Sequence, residues 1–413
     1  MSVVAAVRHD HAPELLALRS AAAVRERCEE IYRFVAAGRS THFTLDEDRI
    51  DDAAARVAAI TRADYPGLAI PHHSRWRHFS AGGLDRWSTL PLGGMTALDV
   101  ARAAIDLTMV SVLLDAGAGA AWRYQDNDAG QVFARSEGLA VASFDMFRAG
   151  LFSSDAAHPL RVDAAGLKRL DTAALARGFQ YSDANPLVGL AQRLTLLRRL
   201  GEALATRGDL FGAASRPGHL IDAILASAPG KRINAADILA MLLDAFSTIW
   251  PSGLTVDHVP LGDAGHHPAI QRADRSAGIV PFHKLSQWLT YSLIEPIEGA
   301  GIAVAEIDGL TALPEYRNGG LLIDAGVIRP RAPLDPTVAH DVASELIVEW
   351  RALTVAVMDR LREATRRRLG VATLSMSQLL QGGTWSAGRA IALEKRPPDG
   401  PPPIAIKADG TVF

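Results

Sequence analysis

The chain has 413 residues, 48% of them apolar and 22% charged, with a net charge of −3 at pH 7. That balance supports a large buried core and excludes an intrinsically disordered chain, and the slight acidic excess excludes a broad nucleic-acid footprint, which needs clustered basic charge. A single cysteine, Cys28, excludes an intrachain disulfide and fits a reducing, cytoplasmic setting.

The first residues, MSVVAAVRHDHAPELL, are not read as a signal peptide, because Arg8 and Asp10 break the apolar run. Apolar residues at helical spacing predict helices over Pro13–Ala37, Asp46–Arg62, Thr96–Asp115, Ser136–Phe152 and Pro186–Thr206. Five more follow at Leu220–Ala228, Ala235–Ile249, Phe282–Glu295, Pro336–Leu369 and Ser375–Lys395. The stretch Ala97–Ala121 carries Asp99, Arg102, Asp106 and Asp115, which a bilayer tolerates poorly, so it reads as a core helix. Acids at Asp46–Asp48 and bases at Arg366–Arg368 before Gly370 suit a helix start and a helix end.

Between the helices lie three irregular stretches: Tyr65–Gly94, Trp250–Ile279 with a short strand at Leu254–Val259, and Leu313–Leu321. The tail, with Asp409-Gly410 between Ile404–Lys407 and Thr411–Phe413, predicts a small C-terminal β-hairpin. The fold expected is mostly α, with long site-building loops. An N-terminal part, 1–160, and a C-terminal part, 161–413, are expected to pack as one compact body.

No dinucleotide fingerprint, phosphate loop, nucleophile elbow or His-Glu-x-x-His pair occurs. One loop gathers Asp257, His258, Asp263, His266 and His267. It is read as polar residues bonding backbone, with a divalent-metal site as the alternative.

Four stretches carry the chemistry. On the helix beginning at Phe282, Leu285, Trp288, Leu289 and Leu293 form an apolar stripe, and Lys284, Gln287 and Tyr291 form a polar one. Because the flanks are aromatic, the polar stripe is read either as a solvated face or as the lining of a pocket. Leu313-Pro-Glu-Tyr-Arg-Asn-Gly-Gly320 places Glu315, Tyr316, Arg317 and Asn318 together in a turn, which either lies on the surface or converges on a ligand. Ile70-Pro-His-His-Ser-Arg-Trp-Arg-His-Phe79 offers His73, Arg75, Trp76 and His78, side chains suited to phosphate or to a flat ligand, or simply exposed. In Glu345-Leu-Ile-Val-Glu349-Trp-Arg351, Glu345 and Glu349 share a helix face that reads as solvated.

In this order, and closing on Gly-Gly-Thr-Trp-Ser-Ala-Gly-Arg and Asp-Gly-Thr-Val-Phe, these motifs resemble the uracil catabolism protein 4 family over nearly the whole chain. The departure is Gly262-Asp263-Ala264-Gly265-His266-His267, where a bulky aromatic is expected after Gly-Asp. The resemblance implies a cytoplasmic role in a pathway that opens uracil nucleotides and releases urea through ribosylurea. The Lys284–Gln287 helix, the acidic-Tyr-Arg turn and the Glu-x-Arg-Ala helix are also similar to the queuosine 5′-phosphate N-glycosidase family. That likeness implies a fold akin to helical DNA glycosylases and cleavage of a base–ribose bond by an acid in this turn. Here the acid is Glu315 in place of aspartate.

These resemblances imply an N-glycosidase that hydrolyses ribosylurea or its 5′-phosphate. Glu315 would be the catalytic carboxylate, and Tyr316 the proton donor, with Tyr291 or a histidine as alternatives. Lys284, Gln287, Tyr291, Arg317, Asn318, His73, Arg75, Trp76 and His78 would bind substrate, with Lys284, Arg317 or Arg75 taking a phosphate. The helix and the turn are read as two halves of one pocket. The expected partner is a nucleoside- or nucleotide-derived small molecule, with no metal or organic cofactor, nucleic acid or membrane. Two alternatives stand beside this reading: an amidohydrolase or deaminase using His258, His266 and His267 with a metal, and a non-catalytic pathway partner.

Overall fold

The computed structural model describes residues 13–335 and 338–407. Among these residues helices dominate, and the strands form only two-stranded pairs. The chain divides into two compact units that interleave in sequence. One takes its described residues from 13–72, 253–284 and 307–407, and the other from 73–252 and 285–306. The expected division near residue 160 therefore falls inside the second unit.

In the first unit the long helix Glu345–Leu369 packs against helices Ala21–Ala36 and Ile50–Asp64. Its bases at Arg366–Arg368 fall in the last turn, and Gly370 closes it at φ +73°, where glycine carries no Cβ penalty. The predicted helix from Pro13 is interrupted. Ser20 accepts a hydrogen bond from the Ala23 amide and starts Ala21–Ala36 as a separate helix. The predicted C-terminal helix likewise contains a π-helical turn, Leu380–Thr384, between Met376–Leu379 and Trp385–Lys395. There Gly382 and Gly383 lie against Thr61, Ile70 and the Val57 carbonyl, too close for a side chain at Gly383.

The Trp250–Ile279 stretch is more regular than expected. Leu254–Val256 pairs with Val259–Gly262, and Ala264–His266 pairs with Ile279–Pro281, both antiparallel. Asp257 and His258 form the first hairpin's turn at φ +45° and +65°. Phe43–Leu45 pairs with Ile328–Pro330. Ala405–Ile406 pairs in parallel with Ala339–His340, so the first half of the expected terminal hairpin is used elsewhere. Its second half lies outside the described residues, as do the first residues of the helix expected from Pro336.

The second unit is built on helices Ala97–Leu113, Arg135–Arg148, Leu190–Thr206, Leu220–Ser227 and Ala235–Phe246, with most of Lys284–Gly299. Thr96 caps the first of these, whose residues from Ala103 to Leu113 are all buried, as a core helix requires. Asp106 lies buried on it and accepts from the Val162 and Gly218 amides at 3.1 and 2.6 Å, with Arg216 as its counter-ion. Helices Ala164–Arg169 and Thr172–Gly178, unmarked by apolar periodicity, start at the side-chain caps Asp163 and Asp171. Among the described residues no helix is long and apolar enough to cross a membrane.

Candidate functional site

The Lys284–Gly299 helix is buried on every side from Lys284 to Ile294. Lys284 is 9% exposed, and Gln287 and Tyr291 are fully enclosed. The polar stripe is therefore not a solvated face. The chain passes between units at the first residue of this helix, so Lys284 belongs to the first unit and Gln287, Trp288 and Tyr291 to the second.

In the first unit, the expected Leu313–Leu321 turn is the start of a helix, Tyr316–Asp324. Glu315 is its N-cap, with one carboxylate oxygen 2.7 Å from the Arg317 amide and the other 2.6 Å from the Asn318 amide. Arg317 and Asn318 turn inward and are bound there, Arg317 to the Gly400 carbonyl at 3.1 Å and Asn318 to the Leu313 carbonyl at 3.1 Å. The Arg317 guanidinium also sits 5.0 Å from the Tyr316 ring centre. Helical geometry thus spreads side chains that a turn would have gathered, and leaves Glu315 and Tyr316 half-buried. Gly319 and Gly320 lie inside this helix and close no loop turn. A Cβ on Gly319 would stand 2.7 Å from the Trp350 ring, so the helix needs glycine to reach the long helix.

The electrostatics of Glu315 are opposed. Burial of its carboxyl pushes the pKa up, and the two backbone amides, then Lys284 and Arg317, pull it down. Burial prevails, and Glu315 titrates above the ordinary glutamate range. Lys284 and Glu315 belong to the same unit, and the Lys284 charge acts on the carboxyl.

Lys284 is itself held at its backbone. Its amide donates to Asp263 Oδ2 at 2.9 Å, and the Phe282 and His283 amides donate to the Asp263 carbonyl at 2.9 and 3.0 Å. His283, at φ +50°, makes the bend and binds the Leu18 carbonyl through Nε2 at 2.9 Å. Asp263 accepts from the two terminal nitrogens of Arg351, at 2.9 and 2.8 Å. Burial pushes its carboxyl up, but Arg351 and the Lys284 amide outweigh that and hold it below the usual aspartate range. On the same helix, Glu349 is buried against His267 Nε2 at 3.0 Å and accepts from Ser40. Glu349 is therefore not part of a solvated face, whereas Glu345 is more exposed and pairs with His42 at 3.4 Å.

The histidine loop does not converge. Asp257 and His258 form a hairpin turn, His266 is exposed and His267 is buried against Glu349. Among the described residues, no three His, Cys, Asp or Glu side chains are grouped to hold a metal ion.

In the second unit, His73-Ser-Arg-Trp-Arg-His78 is ordered by a short helix, Arg75–Phe79, capped by Ser74. It lies on the Trp288–Ser292–Glu295 face of the buried helix. The Arg75 amide donates to Ser292 Oγ at 3.0 Å, Trp76 Nε1 donates to the Ser292 carbonyl at 3.1 Å, and Arg77 pairs with Glu295. Arg75 is fully buried and pairs with Asp115 at 2.7 Å, with further bonds to Ser111 Oγ and the Ser136 carbonyl. The His73 and His78 rings lie 4.4 and 6.2 Å from the Trp288 ring. Burial, then the Arg75 charge, keeps His78 neutral by pushing its pKa well down. Trp288, whose spacing places it in the apolar stripe, is buried with a polar indole edge. No local pattern in the sequence ties Asp263, Trp350 and Arg351 to Lys284 or Glu315.

The family described as protein of unknown function (DUF1688) matches residues 17–413. A protein of Lachancea kluyveri called uracil catabolism protein 4 is 37% identical over 433 aligned residues, covering 96% of this chain and 98% of its own. Protein urg3 of Schizosaccharomyces pombe is also 37% identical, over 401 aligned residues, covering 94% of this chain and 96% of its own.

Proposed function

Since this chain belongs to the uracil catabolism protein 4 family, we propose that it acts in uracil catabolism and hydrolyses an N-ribosidic bond, releasing urea from ribosylurea or its 5′-phosphate. The observation that carries this is Glu315: a half-buried carboxylate pinned by two backbone amides and acted on by the positive charge of Lys284. Breaking the bond from C1 of the ribose to the urea nitrogen leaves positive charge on the sugar. A fixed carboxylate stabilises that charge and takes a proton from the attacking water. The water oxygen bonds to C1, the departing nitrogen takes a proton from Tyr316, and the proton on Glu315 passes through solvent to restore the Tyr316 hydroxyl. The products are urea and the sugar. Lys284 supplies the cation for a 5′-phosphate in the phosphorylated substrate. The reading also implies a body akin to the helical DNA glycosylases, and the predominance of helices supports it.

The test is urea release by the purified protein from ribosylurea and from its 5′-phosphate, alongside Glu315→Gln. Glutamine keeps an acceptor for the helix amides but no charge. We expect urea from at least one substrate and a loss of at least 100-fold in the variant, on the order of one charged transition-state contact. Failure of both substrates to yield urea faster than buffer refutes the reaction. Full activity in Glu315→Gln refutes the assignment of the carboxylate.

A further inference from the structure

Three consecutive residues of the Glu345–Leu369 helix each hold a different piece of the first unit. Glu349 holds His267, Trp350 donates through Nε1 to the Gly319 carbonyl at 3.2 Å, and Arg351 holds Asp263. Gly319 lies one turn into the helix capped by Glu315, and its amide closes that turn on the Glu315 carbonyl at 3.0 Å. Asp263 binds the amide of Lys284 and anchors the two residues before it. Trp350 and Arg351 thus reach, from one rigid rod, the two elements that carry Glu315 and Lys284. Trp350, Arg351, Asp263 and Lys284 are buried, where a bidentate guanidinium–carboxylate pair fixes both angle and distance. The Arg351 guanidinium also stacks 4.0 Å from the Phe282 ring centre, two residues before Lys284.

We infer that Trp350, Arg351 and Asp263 are positioning residues, a built-in caliper that sets the separation of Lys284 from Glu315. The inference rests on the reading of Glu315 and Lys284 as the reacting centre, and it adds residues that touch neither substrate nor reacting atoms. Positioning of this kind acts on turnover, because a displacement of about 1 Å in a catalytic group costs on the order of 100-fold in rate.

The test uses Arg351→Lys and Trp350→Phe in the full-length chain. Both keep the net charge, so neither alters Glu315 by direct Coulomb interaction. Lysine loses the two-point fork, and phenylalanine loses the bond to Gly319. Trp122→Phe is the control, since Trp122 is equally buried and makes the same kind of bond, to the Phe179 carbonyl at 2.9 Å. The first readout is the titration midpoint of the Glu315 carboxyl by carbon NMR, assigned with Glu315→Gln. Lys284→Met marks the direction expected when the ammonium is withdrawn, an upward shift.

Both positioning variants should move the midpoint upward, in part or in full, and add little on a Lys284→Met background. They should also lower kcat by about 10- to 100-fold with KM nearly unchanged. The control should lower the melting temperature and leave the midpoint alone. Unmoved midpoints in Arg351→Lys and Trp350→Phe overturn the inference, as does an unmoved midpoint in Lys284→Met. Midpoints that shift in a protein that releases no urea sustain the caliper and overturn the proposed reaction, so the two failures are distinct.

Discussion

Two adjacent glycines make opposite predictions. Gly319 and Gly320 both lie inside the helix Tyr316–Asp324 with no left-handed φ, so the backbone gains from alanine at either. That gain is about 1 kcal/mol in a helix interior. At Gly320 the added Cβ meets Pro403 Cδ at 3.2 Å and Cγ at 3.8 Å, which a small shift of the proline relieves. At Gly319 it meets Trp350 Cε2 at 2.7 Å, and Trp350 Nε1 and Thr354 Oγ1 at 2.8 Å. The indole cannot retreat, because its Nε1 is bonded to the carbonyl of Gly319 itself. Overpacking of this kind costs about 1–3 kcal/mol and outweighs the helix gain in all but its mildest form. Gly319→Ala is expected to be destabilised by up to about 2 kcal/mol, and Gly320→Ala to be unchanged or up to about 1 kcal/mol more stable. Equilibrium urea unfolding of both variants beside the parent measures the difference. A midpoint for Gly319→Ala at or above that of Gly320→Ala refutes the argument, since both share the same backbone gain.

Because Glu315 titrates above the ordinary glutamate range, the acidic limb of the urea-release profile should lie above that range: activity is present when the carboxylate is ionised and is lost as pH falls through the raised pKa. An acidic limb at or below the ordinary glutamate value contradicts this. The same shift makes ionised Glu315 a cost to folding, with a stability contribution present at low pH and lost as pH rises through the raised value, so Glu315→Gln should flatten that part of a stability-versus-pH curve. Arg75→Met should destabilise by about 3–5 kcal/mol by removing the buried counter-ion of the Asp115 carboxylate, and adding Asp115→Leu should restore much of it; a double variant as unstable as the single one speaks against a buried pair. Replacing Asp257-His258 by Asn-Gly should raise the melting temperature, because both positions have positive φ; an unchanged or lower value contradicts the turn assignment.

The sequence was most informative where periodicity and burial agree. The Lys284–Tyr291 stripe is legible because its aromatic flanks leave no face for water, and every one of its residues is buried. The Ala97–Leu113 core helix and the Arg366–Arg368 helix end were legible for equally local reasons. The Glu315 helix was not, because Gly319-Gly320 reads as a break when their reason, the Trp350 ring, comes from a distant segment. Asp263 was hidden in the same way. It stood among histidines in a candidate metal loop, while the arginine that explains it lies 88 residues further on. Arg75 has the composition of a phosphate fork, and nothing nearby in sequence reveals Asp115 as its partner. Buried polar residues that depend on one helix were readable; those defined by a distant partner needed the fold.

The interleaving of the two units has a consequence for biosynthesis. The first unit's long helix, Glu345–Leu369, is the surface on which Ala21–Ala36 and Ile50–Asp64 pack. Those two helices leave the ribosome early, and their partner follows only after the whole second unit's main span, 73–252, has been made. At about 5–20 residues per second the delay is on the order of tens of seconds. During that interval the apolar faces around Val24, Ile31, Val35 and Val57 have no native cover. Newly made chains are therefore expected to depend on holding chaperones for the N-terminal segment, and the second unit to acquire protease resistance first.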